Sequence, residues 1–131
     1  MIRIAKGWLR ETSLNFNPEM LSFLAHRITG LGVVLFLFGH MFSLGTRMLG
    51  PDAFNKTMRA YDSSLFHFFE WILFIACVFH GLNGLRIIAV DILSLTRKQR
   101  ELTFWVVAVT AVLAAAAMLF FFPTVRDAVT F

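Results

Sequence analysis

The chain has one cysteine, one tyrosine and three prolines in 131 residues, and only 15% of it is charged. A single Cys77 cannot close an intrachain disulfide, and alone it cannot hold an iron–sulfur cluster or a cysteine-based zinc site. It reads as a small, buried apolar side chain. No stretch alternates polar and apolar residues over strand length, so no sheet is expected. Arg3, Lys6 and Arg10 are not followed by an apolar run and a small-residue cleavage site, so the segment does not read as a secretory signal and is expected to stay on.

What is abundant is apolar: 58% of residues are hydrophobic, 16 of them Phe, and mean hydropathy is +0.72. A soluble domain of ordinary composition is about 45–50% apolar, which makes this a membrane protein. Its net charge of +4 could suggest nucleic acid, but the charges flank apolar runs, so orientation in the lipid bilayer explains them better and no nucleic-acid partner is expected.

Three runs, 28–49, 65–90 and 104–122, exceed or approach the roughly 20 helical residues that cross a hydrocarbon core of about 30 Å. The fold expected is all-α: an integral membrane bundle of three transmembrane helices in one anchor domain, 1–131. Residues 1–27 read as an inner-face segment, with Ala5–Ser13 amphipathic and lying on the membrane face. Asn15-Phe16-Asn17-Pro18-Glu19 reads as a turn feeding a helix that starts near Pro18. Gly50-Pro51-Asp52 stops the first span, Asp62-Ser63-Ser64 supplies an N-cap for the second, and Pro123 ends the third. Ala114–Ala117 is a close-packing patch.

Lys and Arg counts orient the bundle. Arg3, Lys6, Arg10, Arg27, Arg86, Arg97, Lys98 and Arg100 belong to the N-terminal segment and the second loop with its flank, eight in all. Arg47, Lys56, Arg59 and Arg126, four in all, belong to the first loop and the tail. Eight against four favours both termini on opposite sides, N-in and C-out. Three helices with several buried polar groups enclose a cofactor poorly, so a partner subunit is implied.

His80 sits inside an almost unbroken apolar run, Phe66 to Val90, where an imidazole is costly unless its lone pair is used. Gly81 and Gly84 leave the helix surface beside it bare enough for a flat macrocycle or another backbone. Haem iron is one user; a hydrogen bond to a neighbouring helix is the other. Arg86 and Asp91 lie at the inner end of the same run, where the arginine can snorkel and pair with Asp91 or a haem propionate, or serve as a positive-inside anchor. Ser22, His26 and Arg27 come at the same level before the first span. Together they suit a quinone carbonyl and the negative charge that builds on its oxygen during reduction; an arginine at a helix start is also a common anchor. His40 follows His26 by 14 residues, about 21 Å of helix rise and about 40° of rotation. It is either a ligand of a second haem on the outer side or a helix-packing contact. His67 and Glu70, three residues apart, can pair with each other at the interface or form part of a proton path.

These residues match a family. His26-Arg27-Ile28-Thr29-Gly30 resembles the His-Arg-x-Thr/Ser-Gly signature that opens the first transmembrane helix of the cytochrome b large anchor subunit of succinate dehydrogenase. His80-x-x-Asn83-Gly84-x-Arg86-x-x-x-x-Asp91 resembles that family's second-helix motif. The resemblance covers roughly residues 18–122. It implies a subunit of succinate:quinone oxidoreductase that anchors a flavoprotein and an iron–sulfur protein at the inner face of the cytoplasmic membrane. It also implies that His80 is an axial ligand of haem b, the second ligand coming from a small anchor subunit, that His26 lies near a haem propionate, and that Arg27 and a nearby serine line a quinone pocket. Two departures stand out. Many relatives carry the quinone-site serine four residues before the arginine, where this chain has Phe23, and Ser22 is five before. His40 is similar to the first-helix histidine of two-haem relatives, which are often associated with menaquinone rather than ubiquinone.

The resulting expectation is an electron-carrying anchor with one haem b, or two if His40 ligates a second, and no succinate chemistry of its own. An anchor of quinol:fumarate reductase and a haem-free structural anchor are the alternatives.

Overall fold

The computed structural model describes residues 17–122, and within them every regular element is helical. The amphipathic stretch Ala5–Ser13, the cations Arg3, Lys6, Arg10 and Arg126, and Pro123 lie outside the described residues.

Helix α1, Pro18–Gly45, begins ahead of the first apolar run because Pro18 at its first position needs no donor partner and Asn17 caps it. The Asn17 side chain accepts from the Met20 N–H at 2.8 Å. A 3-10 turn, Thr46–Leu49, ends this helix, and Gly50 then takes φ 109°, a conformation nearly reserved for glycine. Next comes α2, Pro51–Tyr61, a short helix inside what the sequence suggested as a plain connection. Its half-buried Phe54, Met58 and Tyr61 recur at helical spacing while Asp52, Asn55, Lys56 and Arg59 form an open polar face. Ser63 caps α3, Ser64–Leu93, and Ser94 in the left-handed conformation closes it. A turn at Thr96–Lys98 leads into α4, Gln99–Phe121.

Three helical stretches, Pro18–Leu49, Ser64–Leu93 and Thr96–Phe121, are long and apolar enough to cross a membrane. α3 is the central helix, packed against α1 on one side and α4 on the other, with α1 touching α4 less extensively. The end of the bundle where α1 begins, α3 ends and α4 begins is called proximal below, and the opposite end distal.

The interior is built with polar residues. Among the described residues the buried set holds Ser22, Ser43, Asn83, Arg86, Thr103 and Thr110 but only Val90, Val106 and Ala117 among apolar side chains. Leu, Ile, Phe and Val side chains line the outside, Phe42 at 77% and Phe120 at 84% exposure. That distribution suits hydrocarbon solvent, where apolar surface gains nothing by hiding and polar groups must find partners inside. Thr103 and Thr110 return their hydroxyls to the carbonyls of Gln99 and Val106, at 2.9 and 2.7 Å. Across the α3–α4 interface Trp71 Nε1–H donates to the Ala114 carbonyl at 2.9 Å near the distal end, beside the close-packed Ala117. Proximally, Arg86 Nη1–H donates to the Thr103 hydroxyl. α1 and α2 are joined by a 2.6 Å hydrogen bond between Ser43 and Tyr61.

Candidate functional site

α1 and α3 run antiparallel, so their proximal halves bring residues 22–30 opposite residues 80–86. His80 projects from α3 onto α1, and its Nδ1 lies 3.0 Å from the main-chain oxygen of His26. A carbonyl only accepts hydrogen bonds, so Nδ1 carries the proton and the lone pair of the neutral ring is on Nε2. The Thr29 hydroxyl, 3.4 Å from the same Nδ1, adds a second oxygen on that side. Nε2 has no hydrogen-bond partner among the described residues.

The His26 and His80 rings are stacked, 4.0 Å between centroids and 5° from parallel. Stacking covers a ring face and leaves the Nε2 lone pair, which lies in the ring plane, free for an incoming metal. Room for this arrangement comes from Gly30 on α1, where a Cβ would stand 2.7 Å from His80 Cε1. The glycines next to His80 serve differently than their spacing suggested. Gly84 faces His26, whose Cε1 is at ordinary contact distance, 3.5 Å, from where a Cβ would be, and Gly81 faces open space. What lies on the bare α3 surface within this chain is therefore a second imidazole and the backbone of α1.

One turn toward the proximal end, Ser22 Oγ–H donates to Asn83 Oδ1 at 2.8 Å. Asn83 has no exposed surface at all. Arg86, a further three residues along α3, is 7% exposed and reaches Thr103 on α4, not Asp91, which is on the outside. Burial of Arg86 against α4 puts that hydroxyl closer than the carboxylate five residues on. The guanidinium is within electrostatic reach of His26 and of Glu19. Three buried polar atoms in this layer, His26 Nδ1, Asn83 Nδ2 and Arg86 Nε, have no partner among the described residues. Each costs about 1–3 kcal/mol if nothing else satisfies it.

Among the described residues no three His, Cys, Asp or Glu side chains converge, so a bare metal ion has no donor set here. An iron held in a porphyrin needs only one axial nitrogen per side, which His80 Nε2 can supply.

The sequence profile of the succinate dehydrogenase/fumarate reductase transmembrane subunit family matches residues 6–119. The chain belongs to this family. Among its relatives, the succinate dehydrogenase 2 membrane subunit SdhC of Mycobacterium tuberculosis is 31% identical over 91 residues, 70% of this chain and 67% of that protein. The succinate dehydrogenase hydrophobic membrane anchor subunit of Halobacterium salinarum is 33% identical over 78 residues, 59% of this chain and 60% of that protein.

For a membrane subunit of this family the remaining candidates fall outside the polar layer. Arg27 points away from Ser22, exposed, with its guanidinium 5.7 Å from the centre of the Phe23 ring. The two residues are five apart on α1, about 140° around the helix, so this chain alone does not bring them together. His40 is likewise exposed, stacked on Phe36 at 5.3 Å in the distal half, with open space beside Gly39. His67 pairs with Glu70 at 3.1 Å and lies 3.7 Å from Asp62, forming an exposed distal cluster. Asn83, Thr29 and Gly30 stood in the matched motifs without a part in the expected site. Helical spacing from His80 and His26 is the signal that marks them, since each lies three or four residues on.

Proposed function

We propose that this chain is the haem b-binding membrane anchor subunit of a succinate:quinone oxidoreductase. It carries electrons from an iron–sulfur subunit to quinone, while succinate oxidation takes place in a flavoprotein partner. The observation that carries the reading is the His80 imidazole, tethered through Nδ1 to the His26 carbonyl with Nε2 left unpartnered. Metal-bound histidines almost always donate their other ring nitrogen in this way.

When bound, haem b would supply a one-electron store. His80 Nε2 would hold its iron from this chain, together with a second small anchor subunit. His26 Nδ1 and Arg86 Nε, buried and unpartnered, are suited to the carboxylates of a porphyrin. Arg27 and Ser22 serve the quinone, Arg27 through its exposed guanidinium and Ser22 from the polar layer, with the rest of the pocket coming from partners. His40 presents an exposed imidazole to whatever covers α1, and a second haem follows if it is a ligand there. Quinone type, ubiquinone or menaquinone, and direction, succinate oxidation or fumarate reduction, are set by the partners and the redox pool.

The N-terminal segment and second loop face the inside of the cytoplasmic membrane, where the soluble subunits dock. A reduced-minus-oxidised optical spectrum with haem-to-flavin stoichiometry of the purified complex tests the reading. A b-type band that His80→Ala removes or distorts is expected. No such band, or haem content untouched by the substitution, refutes it.

A further inference from the structure

His80 meets α1 at two adjacent residues, Thr29, whose hydroxyl faces its Nδ1, and Gly30, whose missing side chain leaves room for its ring. A Cβ on Gly30 would lie 2.7 Å from Cε1, 3.2 Å from Nδ1 and 3.7 Å from Nε2. No real Cβ approaches a ring carbon that closely, so a methyl group at position 30 must move something. The imidazole is the far end of a side chain with two rotatable bonds, whereas α1 is a long packed helix, so the ring yields first. Its displacement opens the 3.0 Å bond from Nδ1–H to the His26 carbonyl. Thr29 acts on the same nitrogen. Its hydroxyl donates to the Ala25 carbonyl at 2.8 Å, in position also to share with the His26 carbonyl at 3.1 Å, and so turns a lone pair toward Nδ1 at 3.4 Å. In this arrangement Nδ1–H faces two oxygen acceptors. The alternative tautomer would set its lone pair against the His26 carbonyl, and Thr29 could donate to it only by giving up the Ala25 carbonyl.

We propose that Thr29 and Gly30 are positioning residues for the His80 imidazole: Gly30 admits the ring against α1, and Thr29 with the His26 carbonyl locks the proton on Nδ1 so that Nε2 is the donor nitrogen. This rests on the reading of His80 as an axial ligand. An imidazole whose N–H is accepted by a carbonyl is a more basic ligand through its other nitrogen. Stronger donation stabilises the oxidised iron over the reduced iron. Loosening the hold on Nδ1 consequently moves the reduction potential in the positive direction. Tilting the ring alters the ligand field seen in the low-spin ferric spectrum.

The test uses the whole purified complex with Gly30→Ala, Thr29→Val and Thr29→Ser, and His80→Ala as the control. Haem-to-flavin ratio, the low-temperature electron paramagnetic resonance spectrum and a redox titration are read on each. Gly30→Ala is expected to keep its haem with a shifted ferric signal and a more positive midpoint. Thr29→Val should shift the midpoint the same way by less, and Thr29→Ser should return it to the wild-type value. A helix-packing role alone would alter stability or haem occupancy and leave spectrum and midpoint untouched. Wild-type spectrum and midpoint in both Gly30→Ala and Thr29→Val at full haem occupancy overturn the proposal. If Gly30→Ala fails to assemble, the Thr29 pair decides: a Thr29→Val complex indistinguishable from wild type overturns it. Full haem with an unchanged spectrum in His80→Ala overturns the ligand reading itself, and the proposal with it.

Discussion

Asn83 illustrates how a single carboxamide can hold two helices in register. Its Oδ1 accepts from Ser22, its Nδ2 has no partner among the described residues, and none of it reaches the surface. Ser22→Ala leaves a buried acceptor unpaired and should cost about 1–3 kcal/mol, whereas replacing both partners by apolar groups of similar shape can be nearly neutral. A double-mutant cycle of Ser22→Ala and Asn83→Leu, followed by thermal denaturation of the purified complex, should therefore show the double variant less damaged than the sum of the singles. Additive losses would mean that the bond contributes nothing of its own. Arg27 behaves differently because it is exposed, its guanidinium over the Phe23 ring. Arg27→Ala should lower quinone reductase turnover and leave succinate oxidation by an artificial acceptor intact; equal loss in both assays would remove it from the quinone site. His80 and Arg86 were singled out in the sequence, whereas Asn83, three residues from each, was given no part although helical spacing puts it beside them. Gly30 was not legible as the seat of His80, because what fills the space beside it is 50 residues away and only the packing of α1 on α3 brings it there.

At the scale of elements, the apolar runs located the long helices well, since hydrocarbon thickness fixes their length. Their ends were set by caps that extend past the runs, Asn17 with Pro18 for α1 and Ser63 for α3. The connection between them hid α2, whose apolar residues Phe54, Met58 and Tyr61 occupy one side of three turns and whose hydropathy is too low to register beside a membrane span. Gly50 makes the corner into α2 at φ 109° and ψ 167°, where a side chain is strained. Gly50→Ala should destabilise the complex by about 1–3 kcal/mol, read as a lowered thermal midpoint. Open space surrounds the position a Cβ would take, so the cost is of backbone origin. Gly39→Ala, which also faces open space but within a helix, should gain slightly in comparison. Equal responses at the two glycines would contradict the assignment.

For the molecule as a whole, polar interior and apolar exterior establish that lipid is the solvent, and neither says which end faces which compartment. Charge bears on it: among the described residues the proximal end carries Arg27, Arg86, Arg97, Lys98 and Arg100, and the distal end carries Arg47, Lys56 and Arg59, five against three. The bias toward cytoplasmic Lys and Arg predicts the proximal end inside. On that orientation the polar layer of Ser22, His26, His80, Asn83 and Arg86 falls in the inner half of the membrane. The prediction can be read with single cysteines in a Cys77→Ser background, which removes the native thiol, exposed on α3 where the sequence suggested a buried side chain. Lys56→Cys on α2 should react with a membrane-impermeant maleimide in intact cells, and Arg97→Cys should react only after the membrane is opened. The reverse pattern would turn the anchor over, moving the polar layer to the outer half and leaving His40 and His67 on the side of the inner compartment.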